Sequence, residues 1–394
     1  MALKLKKISF FDYKQNIIAK TLKALSLVTF SKLEKNKVVV FEKPLSGVLK
    51  KTILYDIPHT VLPASYETFY FSPKIFMFFI KNLLWVYLPY RKYRSFYLCY
   101  LLSCIEFIKP KIVISYISYN YIFHAIGEIY TDADFYVIQN GNVDTDSVRD
   151  LLPAPPKMGS IWNMQNFLCF GKYYIDLYCK HGHSARKFHP VGSLKGSFYK
   201  SEVCPGPIAK DFQLCLISQW RELDGTQDAR EMLDAFSVLC DFTSRYIKKH
   251  KVSLCVATCS QNQKEKVFFG GFFNSDVTII ENDQCQFSSY SAVDRSNVAL
   301  EFSSTLGYEV FGWGQKVLFC NFSGKDISSF PFDGLWFLKV RDYTEFENRV
   351  SFLLKLSDAE YRRLSEETAR KIMNYDFANP VHTYMRGIIK NRIS

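Results

Sequence analysis

Short, almost wholly apolar runs of strand length recur along this chain, and a helix-periodic segment fills the gap between many of them. Lys111–Ser115, Phe135–Gln139, Gln213–Ser218, Val252–Ala257, Val298–Phe302 and Val317–Asn321 are the clearest runs. A strand without polar alternation has both faces covered, which happens in parallel sheets packed between helices. Segments 121–130, 172–181, 228–250 and 261–270 supply the helical crossovers that parallel strands require. The pattern therefore predicts an α/β fold. At 394 residues and 48% hydrophobic composition, the chain is too long for one ordinary core and suits two domains of about 150–200 residues. Residues 200–211 hold Pro205, Gly206 and Pro207 and follow neither periodicity, which puts a boundary there. The expected organisation is residues 1–204, then 205–375, then a helical segment 376–394 that packs back on the first domain. Two such domains facing each other bind ligands in the cleft at their strand C-terminal ends.

The remaining elements fit this frame. Residues 1–35 read as a basic amphipathic segment and Val38–Phe41 as a strand, with Thr52–Tyr55 a further strand candidate. Helices are expected from Pro73 to about Trp85 and from Lys92 to Phe107, the second stopped by Lys109-Pro110. Residues 150–160, rich in proline, form a loop; Phe167–Phe170 and Phe188–Val191 are strands. A charged helix covers 358–374, and Pro380 precedes a last helix to about Lys390.

A net charge of +12 admits nucleic acid, an anionic membrane surface or acidic substrates as partners. Zinc-finger spacing, RNA-binding aromatic signatures and long Lys/Arg blocks are missing, so no nucleic-acid partner is expected. The cysteines number eleven, form no CxxC and sit largely inside apolar runs, which reads as buried reduced thiols and a cytoplasmic protein. The basic N-terminus is not followed by an apolar core and cleavage site, so no signal peptide is expected. Region 72–108 is the most apolar, yet its uncharged runs reach only about ten residues against the ~20 that cross a bilayer. It reads as buried helices or as a surface lying on a membrane.

Several turns carry candidate chemistry. Val298–Phe302, Ser303-Ser304-Thr305 and the helix start with Glu309 form a strand, a hydroxyl-rich turn and a helix. A helix N-terminus offers unpaired N–H groups and a positive dipole end that hold phosphate, with Glu309 one turn on towards a ribose. Taken alone, the stretch reads first as an ordinary capped helix. Gln139-Asn140-Gly141 ends a strand in a polar turn, with Asp144 and Asp146 just beyond; an ordinary surface turn has the same composition. His189 precedes Gly192-Ser193 and Lys195, where a phosphate or carboxylate contact competes with a structural histidine beside Pro190. Ser218 and Gln219 follow the first strand of the second series, as cleft residues or as a cap. Glu67 lies in an apolar stretch, where desolvation would raise its pKa and suit acid or base work; a surface glutamate is the plain alternative. Walker A, GxGxxG and GxSxG motifs do not occur.

The order Ile-Gln-Asn-Gly at 138–141, Phe-Gly-Lys at 170–172, Val-Gly-Ser at 191–193, Ser-Gln-Trp at 218–220 and Ser-Thr-Leu-Gly-Tyr-Glu at 304–309 resembles bacterial surface-polysaccharide glycosyltransferases of the GT-B fold. Within them it looks most like the retaining β-Kdo transferases that use CMP-Kdo, over roughly residues 110–325. The resemblance implies two Rossmann-like α/β domains facing across a cleft, with 1–204 on the acceptor side and 205–375 holding the nucleotide sugar. It implies that Ser303, Ser304 and Thr305 bind the CMP phosphate and Glu309 the ribose region, with Ser218 and Gln219 beside them. Gln139, Asn140, Gly141, Ser193 and Lys195 would line the substrate side. A single phosphate can sit on a helix N-terminus, so no cofactor and no metal are expected.

Retention implies two displacements and a carboxylate nucleophile, for which Asp144 is the candidate and Asp146 the reserve. Glu67 would be the base, and His189 or Lys195 would balance the Kdo carboxylate or departing phosphate. The implied partners are a nucleotide-sugar donor, a lipid-linked glycan acceptor of O-antigen or capsule synthesis, and an anionic membrane at the inner face of the inner membrane. The rival expectations are a GT-B transferase using another nucleotide sugar with inversion, and a non-catalytic binding protein of glycan assembly.

Overall fold

The computed structural model describes residues 28–29, 33–64, 69–89, 95–143, 161–222, 226–274, 277–283, 286–325 and 329–394. The expectations for residues 1–27, the 150–160 loop, Glu67, Asp144 and Asp146 lie outside them. The chain separates into two compact units, one of Met1–Val137, Pro153–Asn166 and Ile388–Ser394, the other of Ile138–Leu152 and Phe167–Gly387.

The first series runs β1 (Val38–Phe41), α1 (Ser46–Thr52), β2 (His59–Leu62), α2 (Pro73–Asn82) extended by a π-helical turn at Leu83–Tyr87, α3 (Phe96–Ile108), β3 (Ile112–Ser115), α4 (Tyr121–Ile129), β4 (Asp134–Ile138), β5 (Asn163–Cys169), α5 (Lys172–Lys180), β6 (Ser184–Pro190) and α6 (Leu194–Phe198). The sheet order is β2-β1-β3-β4-β5-β6. The β1–β2, β1–β3 and β3–β4 pairs are parallel, in registers such as Val40↔Val61 and Val113↔Phe135. Burial of all four residues of β1 and of β3 explains why neither run alternates with polar residues.

Local signals start and stop the helices as their chemistry requires. Ser72 accepts from Ile75 N with Pro73 at the first helical position, and Ser95 does the same for Leu98 N. Lys109, with φ 56°, ends α3 in the left-handed region ahead of Pro110. Thr52–Tyr55 is not a strand. Thr52 closes α1, and Ile53 N and Leu54 N both donate to Leu49 O, so the two buried apolar residues pack at the helix end.

The second series runs β7 (Phe212–Ile217), α7 (Gln227–His250), β8 (Leu254–Ala257), α8 (Gln263–Gly270), β9 (Thr278–Ile280), α9 (Ser288–Asp294), β10 (Ser296–Glu301), α10 (Thr305–Gly312), β11 (Lys316–Cys320), β12 (Phe337–Leu338), α11 (Tyr343–Lys355), α12 (Asp358–Ile372) and α13 (Val381–Ile393). Its sheet order is β9-β8-β7-β10-β11-β12, every pair parallel. Counted within the sheet this is 3-2-1-4-5-6, the doubly wound Rossmann order. The chain direction across the sheet reverses between β7 and β10, the place where open sheets of this order generally bind ligands, outside the carboxyl ends of the strands. Leu214, Leu216, Val298 and Leu300 are fully buried in these central strands. Each contributes about 1.5–3 kcal/mol of apolar burial, so the strand ends are held from a rigid base. Helix α11 has no counterpart in the sequence reading. Its signal is nonetheless present, since Asp342 accepts from Glu345 N in a D-x-x-E start.

Candidate functional site

The ends of β7 and β10 lie side by side, with Leu216 paired to Leu300. Beyond β7 come Ser218 and Gln219; beyond β10 come Phe302, Ser303 and Ser304, and then α10. Ser303 Oγ donates to Gln219 Oε1 at 3.3 Å, which joins the two loops at the reversal point of the sheet. Ser304 caps α10 by accepting from Leu306 N at 3.3 Å. The turn is held from below by Glu301, fully buried, whose Oε2 accepts from Ser304 N at 2.6 Å. Its Oε1 is buried with no hydrogen-bond partner among the described residues. Burial pushes the Glu301 carboxyl well above the usual range, against the opposing pull of the Ser304 and Phe302 amides. Gly307 makes room for it: a Cβ there would lie 2.6 Å from the carboxyl carbon.

The Gln-Asn-Gly turn meets the same helix start within the second unit. Asn142 N donates to Thr305 Oγ1 at 2.8 Å, and Tyr174 OH donates to Asn142 Oδ1 at 2.7 Å. Gln139 is buried and acts as a staple, with Oε1 accepting from Phe170 N at 3.1 Å and Nε2 donating to Gly141 O at 3.0 Å. Asn140 and Gly141 remain partly exposed beside it, and a Cβ on Gly141 would stand 3.6 Å from Thr305 Oγ1. Two motifs far apart in sequence therefore form one polar surface at the N-terminus of α10.

One turn further along α10, Glu309 is buried and uses both oxygens within the protein. Ser193 Oγ donates to Oε1, and Tyr290 OH donates to Oε2 at 2.6 Å. Burial raises its pKa, while the two hydroxyls and Lys195 pull it down. Ser193 also caps α6 by accepting from Gly196 N at 3.3 Å. Gly192, at φ +83°, and Gly196 lie against Tyr375; a Cβ at Gly196 would fall 2.1 Å from the Tyr375 hydroxyl. Lys195 is half-buried on α6. Ser218 Oγ donates to Glu265 Oε1 at 2.5 Å, and that buried carboxylate also accepts from Cys259 N, Ser260 N and Ser260 Oγ. His189 lies near the end of β6, buried, with Nδ1 2.7 Å from Tyr384 OH. Burial, with Lys187 nearby, holds it down at about 4, so it is uncharged at neutral pH.

Sequence reasoning assigned no role to Glu301, Glu265, Tyr174, Tyr290 or Tyr375. For Glu301 the signal was a lone carboxylate closing an apolar strand. Glu42 in the first unit was missed in the same way. It follows β1 at the point where that sheet reverses between β1 and β3, is buried, has φ 84°, and accepts from Asn120 Nδ2.

A protein family described as "putative O-antigen biosynthesis protein" matches residues 137–387, which include the whole of the second unit. Among solved structures, the S. aureus MnaA–UDP co-structure has a TM-score of 0.51 at 12% identity, covering 92% of this chain and 96% of that one. The UDP-GlcNAc 2-epimerase from Neisseria meningitidis bound to UDP-GlcNAc has a TM-score of 0.49 at 12% identity, covering 90% and 98%. A glycosyltransferase from Rickettsia africae ESF-5 has a TM-score of 0.44 at 12% identity, covering 99% and 97%. No curated protein matches the chain. At such identities the likeness speaks to fold, and with the two six-stranded sheets it gives a two-domain, Rossmann-like GT-B fold.

Proposed function

The chain belongs to the O-antigen biosynthesis family, and on that premise we propose that it is a glycosyltransferase of bacterial surface-polysaccharide synthesis. The observation that carries this reading is the bond from Asn142 N to Thr305 Oγ1, which joins the Gln-Asn-Gly turn to a capped helix start at the sheet's reversal point. In this reading the positive end of α10 receives the phosphate, with the Ser303, Ser304 and Thr305 hydroxyls around the helix start.

The proposed donor is CMP-Kdo, whose single phosphate α10 receives without a metal; the proposed acceptor is a lipid-linked glycan at the inner face of the inner membrane. Asp144, or Asp146 in its place, attacks the anomeric carbon, the bond to the CMP phosphate breaks, and CMP leaves with the electron pair. The acceptor hydroxyl then displaces the aspartyl ester while Glu67 takes its proton. His189, kept neutral, offers a hydrogen bond and no charge, so Lys195 supplies the positive balance. A second reading, a uridine-nucleotide sugar, draws on the UDP named with the MnaA structure.

The test is mass spectrometry of the intact protein after incubation with CMP-Kdo, beside thermal shift with CMP and UDP. The expected result is a mass increase of one Kdo mapping to Asp144 or Asp146 and stabilisation by CMP. Stabilisation by UDP alone, with no adduct, overturns the CMP-Kdo proposal in favour of the second reading.

A further inference from the structure

We propose that the indole of Trp220 is the stacking platform for the base of the bound nucleotide. The proposal rests on reading the reversal point of the second sheet as a nucleotide site, and not on which base that nucleotide carries. Trp220 follows Ser218 and Gln219 at the carboxyl end of β7. Gln219 accepts from the Ser303 hydroxyl at 3.3 Å, so Trp220 stands one residue from the bond that joins the two loops at the reversal. Open sheets of this order bind their ligands at that place.

The ring of Trp220 is unmatched within the protein. Tryptophan usually packs its large apolar faces and finds a partner for its N–H. Trp162 stacks on His124, Trp313 stacks on Tyr199, and Trp336 meets Phe311 edge-on while donating to Phe332 O. Trp220 is partly exposed, and among the described residues its ring meets no other ring and its Nε1 has no acceptor. Its backbone, by contrast, is fixed on both sides. Trp220 N donates to Ser218 Oγ at 3.1 Å, and Trp220 O accepts from Cys259 Sγ at 3.1 Å. Cys259 O accepts from Asn282 Nδ2 at 2.8 Å, which ties the loops after β7, β8 and β9 into one floor. An open ring on a fixed backbone is a preorganised surface, because less freedom is lost when a ligand settles on it. A flat heterocycle is the part of a nucleotide that fits such a ring, while the hydroxyl-rich turn beside it suits the phosphate end. Every base has a π-face, so stacking on Trp220 serves cytosine and uracil alike.

The test is titration of the full chain with CMP and, separately, with UDP, followed by tryptophan emission and by calorimetry. The expected result is that the nucleotide which binds quenches the emission. Trp220→Ala should weaken that binding about tenfold or more. Trp220→Phe should bind within about threefold of the parent and lose the quenching, since it keeps a ring and removes the reporter. It is measured in its own right should Trp220→Ala fail to fold. Quenching that survives in Trp220→Phe, or a folded Trp220→Ala that binds as tightly as the parent, overturns the platform and leaves the nucleotide site standing. Binding of neither nucleotide by the parent overturns both.

Discussion

Three glutamates set the loops of the candidate site, and all three are buried. Glu265 gathers the ends of β7 and β8, Glu301 holds the β10–α10 turn, and Glu309 ties α10 to Ser193 and Tyr290. A carboxyl is suited to this because its two oxygens accept from several donors in different directions. For Glu301 the cost is desolvation, which raises its folded pKa above the unfolded value. The folded state then binds more protons than the unfolded state, so stability is fullest below the unfolded pKa of about 4.3 and falls as pH rises towards the folded one. Glu301→Gln keeps an acceptor for Ser304 N and removes the titration. Urea melts between pH 5 and pH 8 should show a smaller decline in stability with pH for this variant than for the parent. An equal decline in both would mean that Glu301 is already ionised in the folded protein.

At the scale of elements, α10 matters because two separate stretches converge on its first residue. Ser304 caps it, and Thr305 receives the Asn142 amide. Thr305→Val preserves shape and removes the acceptor, leaving Asn142 N without that partner. The expected cost is about 1–3 kcal/mol in thermal or denaturant unfolding. Faster amide hydrogen exchange at 140–143 should accompany it, since the turn loses its anchor. Unchanged exchange there would show that Tyr174 and Gln139 hold the turn unaided. Much of this was readable locally: the Ser-Ser-Thr cap, the apolar β10 and the Gln-Asn-Gly turn each carry their own chemistry in a few residues. Helix α1 was not readable in this way. Its end packs Ile53 and Leu54, and a buried apolar pair after a short helix looks like a strand when neighbours are unknown.

For the whole molecule, the doubly wound order of the second sheet is the organising fact, because it places the reversal point where the hydroxyl-rich turn emerges. The first unit draws in the end of the chain. Within it Arg392 pairs with Asp134 at 2.8 Å and Lys390 with Asp56 at 3.7 Å, while Ile389 is fully buried. Exposed pairs contribute little, whereas a truncated buried isoleucine leaves a cavity. Ile389→Ala should therefore lower stability by about 2–5 kcal/mol, and Lys390→Ala by less than about 1 kcal/mol, in denaturant unfolding. Comparable effects of the two would show that charge, not packing, holds the chain end.

The sequence by itself determined the class of fold, most element positions and the hydroxyl-rich turn that caps a helix start. Those properties follow from apolar periodicity, caps and turn chemistry, which act over a few residues. Tertiary structure alone decided that Asn142 meets Thr305, that Glu309 faces Ser193 and Tyr290, and that burial raises the pKa of Glu301. The reason is physical. Strand order, and with it the contacts between segments far apart in the chain, arises from packing whole sheets and helices. Burial, which sets the charge of a carboxyl, belongs to the packed assembly and not to any single stretch of it.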